Sequence, residues 1–464
     1  MRINSVVCFT FAALLTACAG GPAYQRPDVS LPAQWQSGAA PADAPLPAAW
    51  WREFQSPELD RLIVAALDGN RDLKAAGSRI AQARALAQTA AASRLPTLGL
   101  SADVALDQRA DAQASTKHNI GVGASFEPDL WGRNRQSHEA AIGRLQSSVH
   151  ARQSVTLALQ AEVAATYFQL LSAQDRVGVA QTALRNAESV LRLLRVQHAA
   201  GAISGLEVIR QQGLVASVNA DIAPIEQQGQ QARNALAVLL GRHPQDLALS
   251  TTPLQALRLP PIDAGLPSTL LQQRPDIRQA EADLVAAHAD IHAARAALFP
   301  SLKLTAAGGI ESASLASLLR SGSLVYTLAA GLTAPLFDGG RLRGQLAFTQ
   351  ARQDELVQVY QQSILRALRE VEDSLSAVQR LAEQAAYQNE VVTHAVAAQG
   401  MADLRHRNGA VDFATVLDAQ RVLLAAQAAQ QTIGLSRYAA AIGLYRALGG
   451  GWDAAAQVSL NTRQ

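Results

Sequence analysis

Two histidines four residues apart, His288 and His292, are the first pair in this 464-residue chain whose type and spacing could do chemistry. On a helix they share a face and could in principle chelate a metal ion. No glutamate follows His288, so the zinc-protease helix motif is absent. The nine histidines are otherwise scattered, and metal binding is not expected. Asp276, behind Pro275, reads as a first-turn acid at a helix N-terminus. Gly339 and Gly340 lack a phosphate-loop pattern and mark a strand-to-helix turn. No nucleophile, base and acid form a set, so neither an enzyme nor a cofactor is expected. Asp418 has Arg421 three residues on, the spacing of a surface ion pair on a helix.

The two cysteines, Cys8 and Cys18, carry a different chemistry. Arg2 begins a short positive region, residues 6–15 are apolar, and Leu15-Thr16-Ala17-Cys18 follows. The apolar run has the length of a signal peptide and is too short for a stable span. Its end resembles a bacterial lipobox, which makes residues 1–17 a leader and Cys18 the acylated first residue of the mature chain. An ordinary cleavage near Ala17 or Ala19 is the alternative. Several acyl chains on one residue make a firm membrane anchor. The residue after Cys18 is Ala19 and not aspartate, which by resemblance to enterobacterial lipoproteins favours outer-membrane delivery.

The elements that must position any site are mostly helical. Lys+Arg is 40 against Asp+Glu 38, and this balance argues against a nucleic-acid face. Residues 18–56 are rich in Pro, Ala and Gly and read as an extended segment ending on Trp50, Trp51 and Phe54. Residues 341–408 contain no proline and only Gly344 and Gly400. One helix of that length measures about 100 Å. It has a twin at 133–200, broken only by Gly143 and Gly178. Residues 97–107, 119–127, 301–311 and 323–334 alternate apolar and polar, as strands of a transmembrane barrel do. A soluble sandwich is the competing reading; the export signal and the lack of further strands weigh against it.

The whole pattern occurs twice. Pro96 matches Pro300 at an offset of 204, while Gly132-Arg133, Glu162-Val163, Gly201-Ala202 and Leu240-Gly241 recur 208 residues later. The expected organisation is therefore repeat 1 at 57–241, with a long helix, a tip near 200–205 and a return helix at 206–241. An irregular segment at 242–266 follows. Repeat 2 spans 267–449, with its tip near 408–412 and return helix 413–448, before a tail at 450–464. The two shorter helices of each repeat would stack end to end beside the long one, and Pro224 would kink the first return helix. Four strands cannot close a barrel, so the chain must oligomerise. The small, polar inward faces suit the open lumen of a trimer better than the filled interior of a dimer.

LLTAC at 14–18, AYQRP at 23–27, DLWGR at 129–133, LLGRHP at 239–244, RPDI at 274–277, APLFDGGRLRG at 334–344, VLDAQR at 416–421 and ALGGGW at 447–452 occur in that order. With the repeat, they resemble the TolC/OprM-type outer-membrane efflux factors, in the NodT-like lipoprotein branch. The resemblance implies a mainly α fold with a small transmembrane β part. It implies a homotrimer with a twelve-stranded barrel in the outer membrane, continued by a twelve-helix periplasmic barrel. It also implies a passive duct that exports small molecules together with a periplasmic adaptor and an inner-membrane resistance-nodulation-division transporter. The partner contacts would be Gly201, Ala202, Ile203 and Ser204 on one tip and Gly409, Ala410, Val411 and Asp412 on the other. The family's acidic constriction aligns with Asp418, beside Arg421. Ala414 stands where relatives carry a bulky aliphatic residue, leaving Phe413 or Val411 as substitutes at the gate. A conduit for type I protein secretion is a second reading, opposed by Cys18; a coiled-coil structural lipoprotein is a third, opposed by the strands. Cys18→Ser is expected to abolish acylation: mass spectrometry of the mature N-terminus should find a lipid-modified Cys18 in the wild type only, and an unmodified mature N-terminus would sink the lipobox reading.

Overall fold

The computed structural model describes residues 23–37, 47–108, 115–247, 249, 252–262, 264–320 and 322–450. The expected leader, Cys18 and residues 451–464 lie outside them. The chain divides into two compact units, Met1–Val29 with Gly77–Ala151 and Asp276–Ser363, and Ser30–Ala76 with Arg152–Pro275 and Ile364–Gln464.

The first unit contains the sheet. Strands β1 (Thr97–Asp107), β2 (Ser115–Phe126), β3 (Ser301–Ser312) and β4 (Leu324–Thr333) pair antiparallel in the order β1-β2-β3-β4. Register puts Leu100, Val122, Gly308 and Tyr326 in one row and Ala102, Ile120, Ile310 and Leu324 in the next. All stand on one face, because side chains alternate along each strand and the pairing is in phase. That face is uncovered: Leu98, Leu100, Leu324, Tyr326 and Leu328 are each more than 75% exposed. The opposite face is small and polar. There Gly121 pairs with Gly309, and a Cβ on Gly309 would lie 2.4 Å from the Ile120 carbonyl oxygen. Asn119 donates to Asp103 at 3.1 Å, and Lys117 pairs with Glu311 at 3.3 Å. β2 begins at Ser115, earlier than its apolar alternation suggests. Thr116 and His118 continue the ladder opposite Leu106 and Val104, and backbone pairing needs no apolar side chain.

Each sheet-to-helix corner is capped by a carboxylate. Helix α3 (Arg133–Ala199) receives Asp129, whose oxygens accept from Asn134 N–H at 3.0 Å and Arg135 N–H at 2.7 Å. Helix α6 (Arg341–Arg407) receives Asp338, which accepts from Gly340 and Leu342 N–H. Both satisfy donors that the first helical turn leaves unpaired. Trp131 locks the first corner by stacking on Phe299 at 4.9 Å and donating to the Pro300 carbonyl at 2.6 Å. Helix α5 (Pro275–Ala296) packs on α3 where Gly143 meets Ala286; a Cβ there would come within 2.9 Å.

The second unit is built on an aromatic cluster. Trp50 is fully buried and stacks on Tyr445 at 5.0 Å, and Phe54 packs edge-on against Phe168 at 5.1 Å. Helix α1 (Pro57–Gly69) starts on a Ser56 cap, with Leu59, Leu62 and Ile63 on the face turned into this cluster. The segment at 242–266, expected to be irregular, carries two 3-10 turns and contributes Leu247, Leu254 and Leu257 to the same core. Tyr438 fixes it by donating to the Leu257 carbonyl at 2.7 Å.

Both repeats join their helices here by one device. Helix α4 (Gly205–Leu239) ends beside Asn70, which precedes helix α2 (Arg71–Ala92). Asn70 donates to the Leu239 carbonyl at 2.9 Å and accepts from Leu73 N–H at 2.9 Å. In the second repeat Arg274, 7% exposed, donates to the Ala447 carbonyl at 2.9 Å, at the end of helix α7 (Phe413–Ala447), and pairs with Glu370 at 2.8 Å. Gly69 and Gly241 allow the contact, since a Cβ on Gly241 would sit 2.3 Å from the Gly69 carbonyl. Pro224 lies inside α4 without ending it; its face is exposed, so the carbonyl it leaves unbonded is open to water.

Trp50→Ala should lower unfolding stability by about 3–5 kcal/mol. Trp50→Phe should cost distinctly less, because the Trp50 indole N–H has no acceptor among the described residues. Equal losses in denaturant titrations of the two variants would refute this packing account.

Candidate functional site

The two tips have one design. α3 and α6 each close on a glycine in the left-handed region, Gly201 at φ +71° and Gly409 at φ +72°. Ala202 N–H donates to the Gln197 carbonyl and Ala410 N–H to the Arg405 carbonyl, both at 2.9 Å. This is the Schellman closure, in which the chain reverses while satisfying the last helical carbonyls. A histidine in the last turn clips each loop: His198 Nδ1 lies 3.1 Å from the Ile203 carbonyl and His406 Nδ1 3.2 Å from that of Val411. A carbonyl only accepts, so each Nδ1 carries the proton. His198 and His406 are 208 residues apart, the offset of the repeat, which marks them in the sequence as an equivalent pair but not as loop clips.

The tips differ where the next helix starts. Ser204 makes no side-chain cap to α4. Asp412 caps α7, accepting from the Thr415 hydroxyl at 2.7 Å and its N–H at 3.0 Å. The Thr415 hydroxyl, then its N–H, hold the Asp412 carboxyl below the usual carboxylate range. A depressed pKa means the cap stabilises α7 at neutral pH and is lost as pH falls through the folded value. Gly201, Ala202, Ser204, Gly409, Ala410 and Asp412 are exposed, and Ile203 and Val411 half-buried.

Behind the tips, Leu194, Leu214, Val416, Leu417 and Phe413 form a small core drawn from both repeats. Phe413 is 3% exposed and packs against the His406 ring at 5.5 Å. Its position at the first turn of α7 turns it inward with Val416 and Leu417, at spacings of three and four. Asp418, the next residue, points outward and is exposed. Asp418 and Arg421 are both exposed and form no ion pair with each other. The surface-pair reading of Asp418 is therefore not what the helix adopts. A groove of about 630 Å³ lies further along the same helices, walled by Gln420, Leu424, Gln427, Gln399, Asp403 and Asp175. Burial pushes the Asp175 carboxyl up, opposed by the Leu254 N–H it accepts at 2.8 Å.

Among the described residues no group of three or more His, Cys, Asp or Glu could hold a metal ion. No described helix is long and apolar enough to cross a membrane. Asp412→Ala should speed amide exchange at Thr415, while Ser204→Ala leaves Glu207 unchanged. The Asp412 effect should fade as pH drops below the usual carboxylate value of about 3.9. An effect of equal size at both tips, or one independent of pH, contradicts the asymmetry.

These features have close counterparts. The family model described as outer membrane efflux protein matches residues 62–242 and 266–450, one stretch per repeat. The chain is 40% identical to the pyoverdine export outer membrane protein OpmQ of Pseudomonas aeruginosa over 98% of each chain. It is 34% identical to the cation efflux system protein CusC of Escherichia coli, over 96% of this chain and 98% of that one. Its fold superposes on the open-state MtrE outer membrane channel of Neisseria gonorrhoeae with a TM-score of 0.86 at 32% identity, covering 94% of this chain and 98% of that one. The uncovered four-stranded sheet and the doubled helical repeat are thus those of outer-membrane channels, and the chain belongs to the outer membrane efflux protein family.

Proposed function

We propose that three copies of this chain form a passive, gated duct that carries small molecules or ions out across the outer membrane. The observation that carries this reading is the sheet: one continuous apolar face is exposed, and β1 and β4 are left as edges. Open edges are not tolerated in hydrocarbon, and pairing β4 of one copy with β1 of the next removes them. Three copies bring twelve strands, which leave a lumen lined by the Gly, Ser and Thr face. The helices of the three copies then continue the passage into the periplasm. Cys18 anchors each copy through its acyl chains.

The tips meet the partners, a periplasmic adaptor and an inner-membrane transporter of the resistance-nodulation-division type. Exposed apolar residues beside them, Val196, Leu206 and Ile209 on one and Met401 and Leu404 on the other, support docking there. Asp418 is the gate residue, with Arg421 one turn on. Three exposed carboxylates around a narrow axis repel one another and concentrate cations. Energy comes from the partner transporter, because the chain offers no nucleotide-binding motif. The relatives' names, pyoverdine export and cation efflux, support cargo of small-molecule or ionic size.

Reconstitution in planar bilayers tests the reading. The wild type should conduct weakly with a cation preference; Asp418→Ala should conduct more and lose that preference. No conductance from either protein would sink the duct.

A further inference from the structure

The His288–His292 pair is not used by the duct. α5 places the two imidazoles on one face, with ring centroids 4.6 Å apart and planes at 76°. Their Nε2 atoms converge to 3.1 Å. In that contact one Nε2 carries a proton and the other offers its lone pair. A metal ion can replace the proton. With imidazole bonds of about 2.0–2.1 Å, a 3.1 Å separation subtends roughly 100° at the ion. That lies between the angles of about 90° and about 109° that tetragonal and tetrahedral ions require.

The His288 ring has a packing partner outside its own helix. Tyr24 packs its edge against His288 at 5.9 Å, and Arg26, two residues on, forms a two-pronged pair with Glu281 on α5 at 2.6 and 2.5 Å. A ligand ring packed in this way loses less freedom on binding. The pair opens onto a cavity of about 470 Å³, whose far wall is Gln350, Gln353 and Asp354 of α6, with Arg295 on its near side. This is room for water on the remaining coordination positions, with amide and carboxylate oxygens to hold those waters. Asp354 and Arg295 offset each other in charge, so selection falls to the imidazoles.

We propose that His288 and His292 form a two-imidazole chelate for a divalent transition-metal ion of the copper, nickel or zinc class, completed by water. Imidazole pairs favour these ions over magnesium and calcium, which take oxygen ligands. Two protein ligands make an exchangeable site, in contrast to the four of a structural zinc site. The site does not depend on the duct reading.

Untagged full-length protein in detergent, titrated with Cu²⁺ and with Ni²⁺ by calorimetry, should bind one ion per chain saturably. Mg²⁺ and Ca²⁺ should not compete. His288→Ala and His292→Ala should each weaken binding by about tenfold or more, and His394→Ala, an exposed control, should not. Electron paramagnetic resonance of the Cu²⁺-loaded wild type should show coupling to two imidazole nitrogens, a readout that needs no variant to fold. Unchanged affinity in both variants, absence of nitrogen coupling, or displacement by Mg²⁺ overturns the proposal.

Discussion

The backbone groups along the outer edges of β1 and β4 have no strand to pair with among the described residues. The face beside them is apolar and uncovered, with Leu100, Tyr326 and Leu328 each more than 75% exposed. In a lipid core each unpaired N–H or C=O costs several kcal/mol, as an order of magnitude. An open-edged sheet is therefore costly in a lipid core. The face opposite the apolar one is small, with Gly121 opposite Gly309 and Gly99 opposite Gly123. At the sheet-to-helix corners Trp131, Asp129 and Asp338 tie down the chain by hydrogen bonds to nearby backbone groups.

The repeat shows how one physical problem was solved twice with different residues. A helix ending in the second unit leaves its last carbonyls unsatisfied. In the first repeat Asn70, a neutral amide, donates to Leu239. In the second a buried guanidinium, Arg274, donates to Ala447 and is itself balanced by Glu370. A buried cation is costly unless paired, and here the pairing with Glu370 couples a third element where the first solution couples two. The tips repeat the logic. Their glycines and histidine clips are equivalent, while the helix starts differ, Ser204 leaving uncapped what Asp412 caps.

Local spacing near the second tip separates packing from chemistry. Phe413, Val416 and Leu417 share the buried side of α7, and Asp418 follows one residue on, about 100° around the helix. A carboxylate there is exposed because its neighbours are not. By the same spacing Phe413 faces the small core while the Asp418 side chain is exposed.

Much was legible in the chain itself because periodicity survives without context. Alternation of two marked the strands, proline-free runs marked α3 and α6, and offsets of 204 and 208 exposed the repeat and paired Gly201 with Gly409. Family membership was legible for the same reason, since its motifs sit at the turns and corners that the repeat preserves. Other features needed the folded chain. That 242–266 packs into a core, that Arg274 meets Ala447, that Asp418 and Arg421 stay apart, and that His288 and His292 converge at Nε2 depend on side-chain direction and long-range contact. Residues 274 and 447, for instance, are brought together only by the return of α7. Sequence spacing states which residues share a face; only the tertiary structure decides what that face meets, because burial is a property of the neighbours and not of the residue.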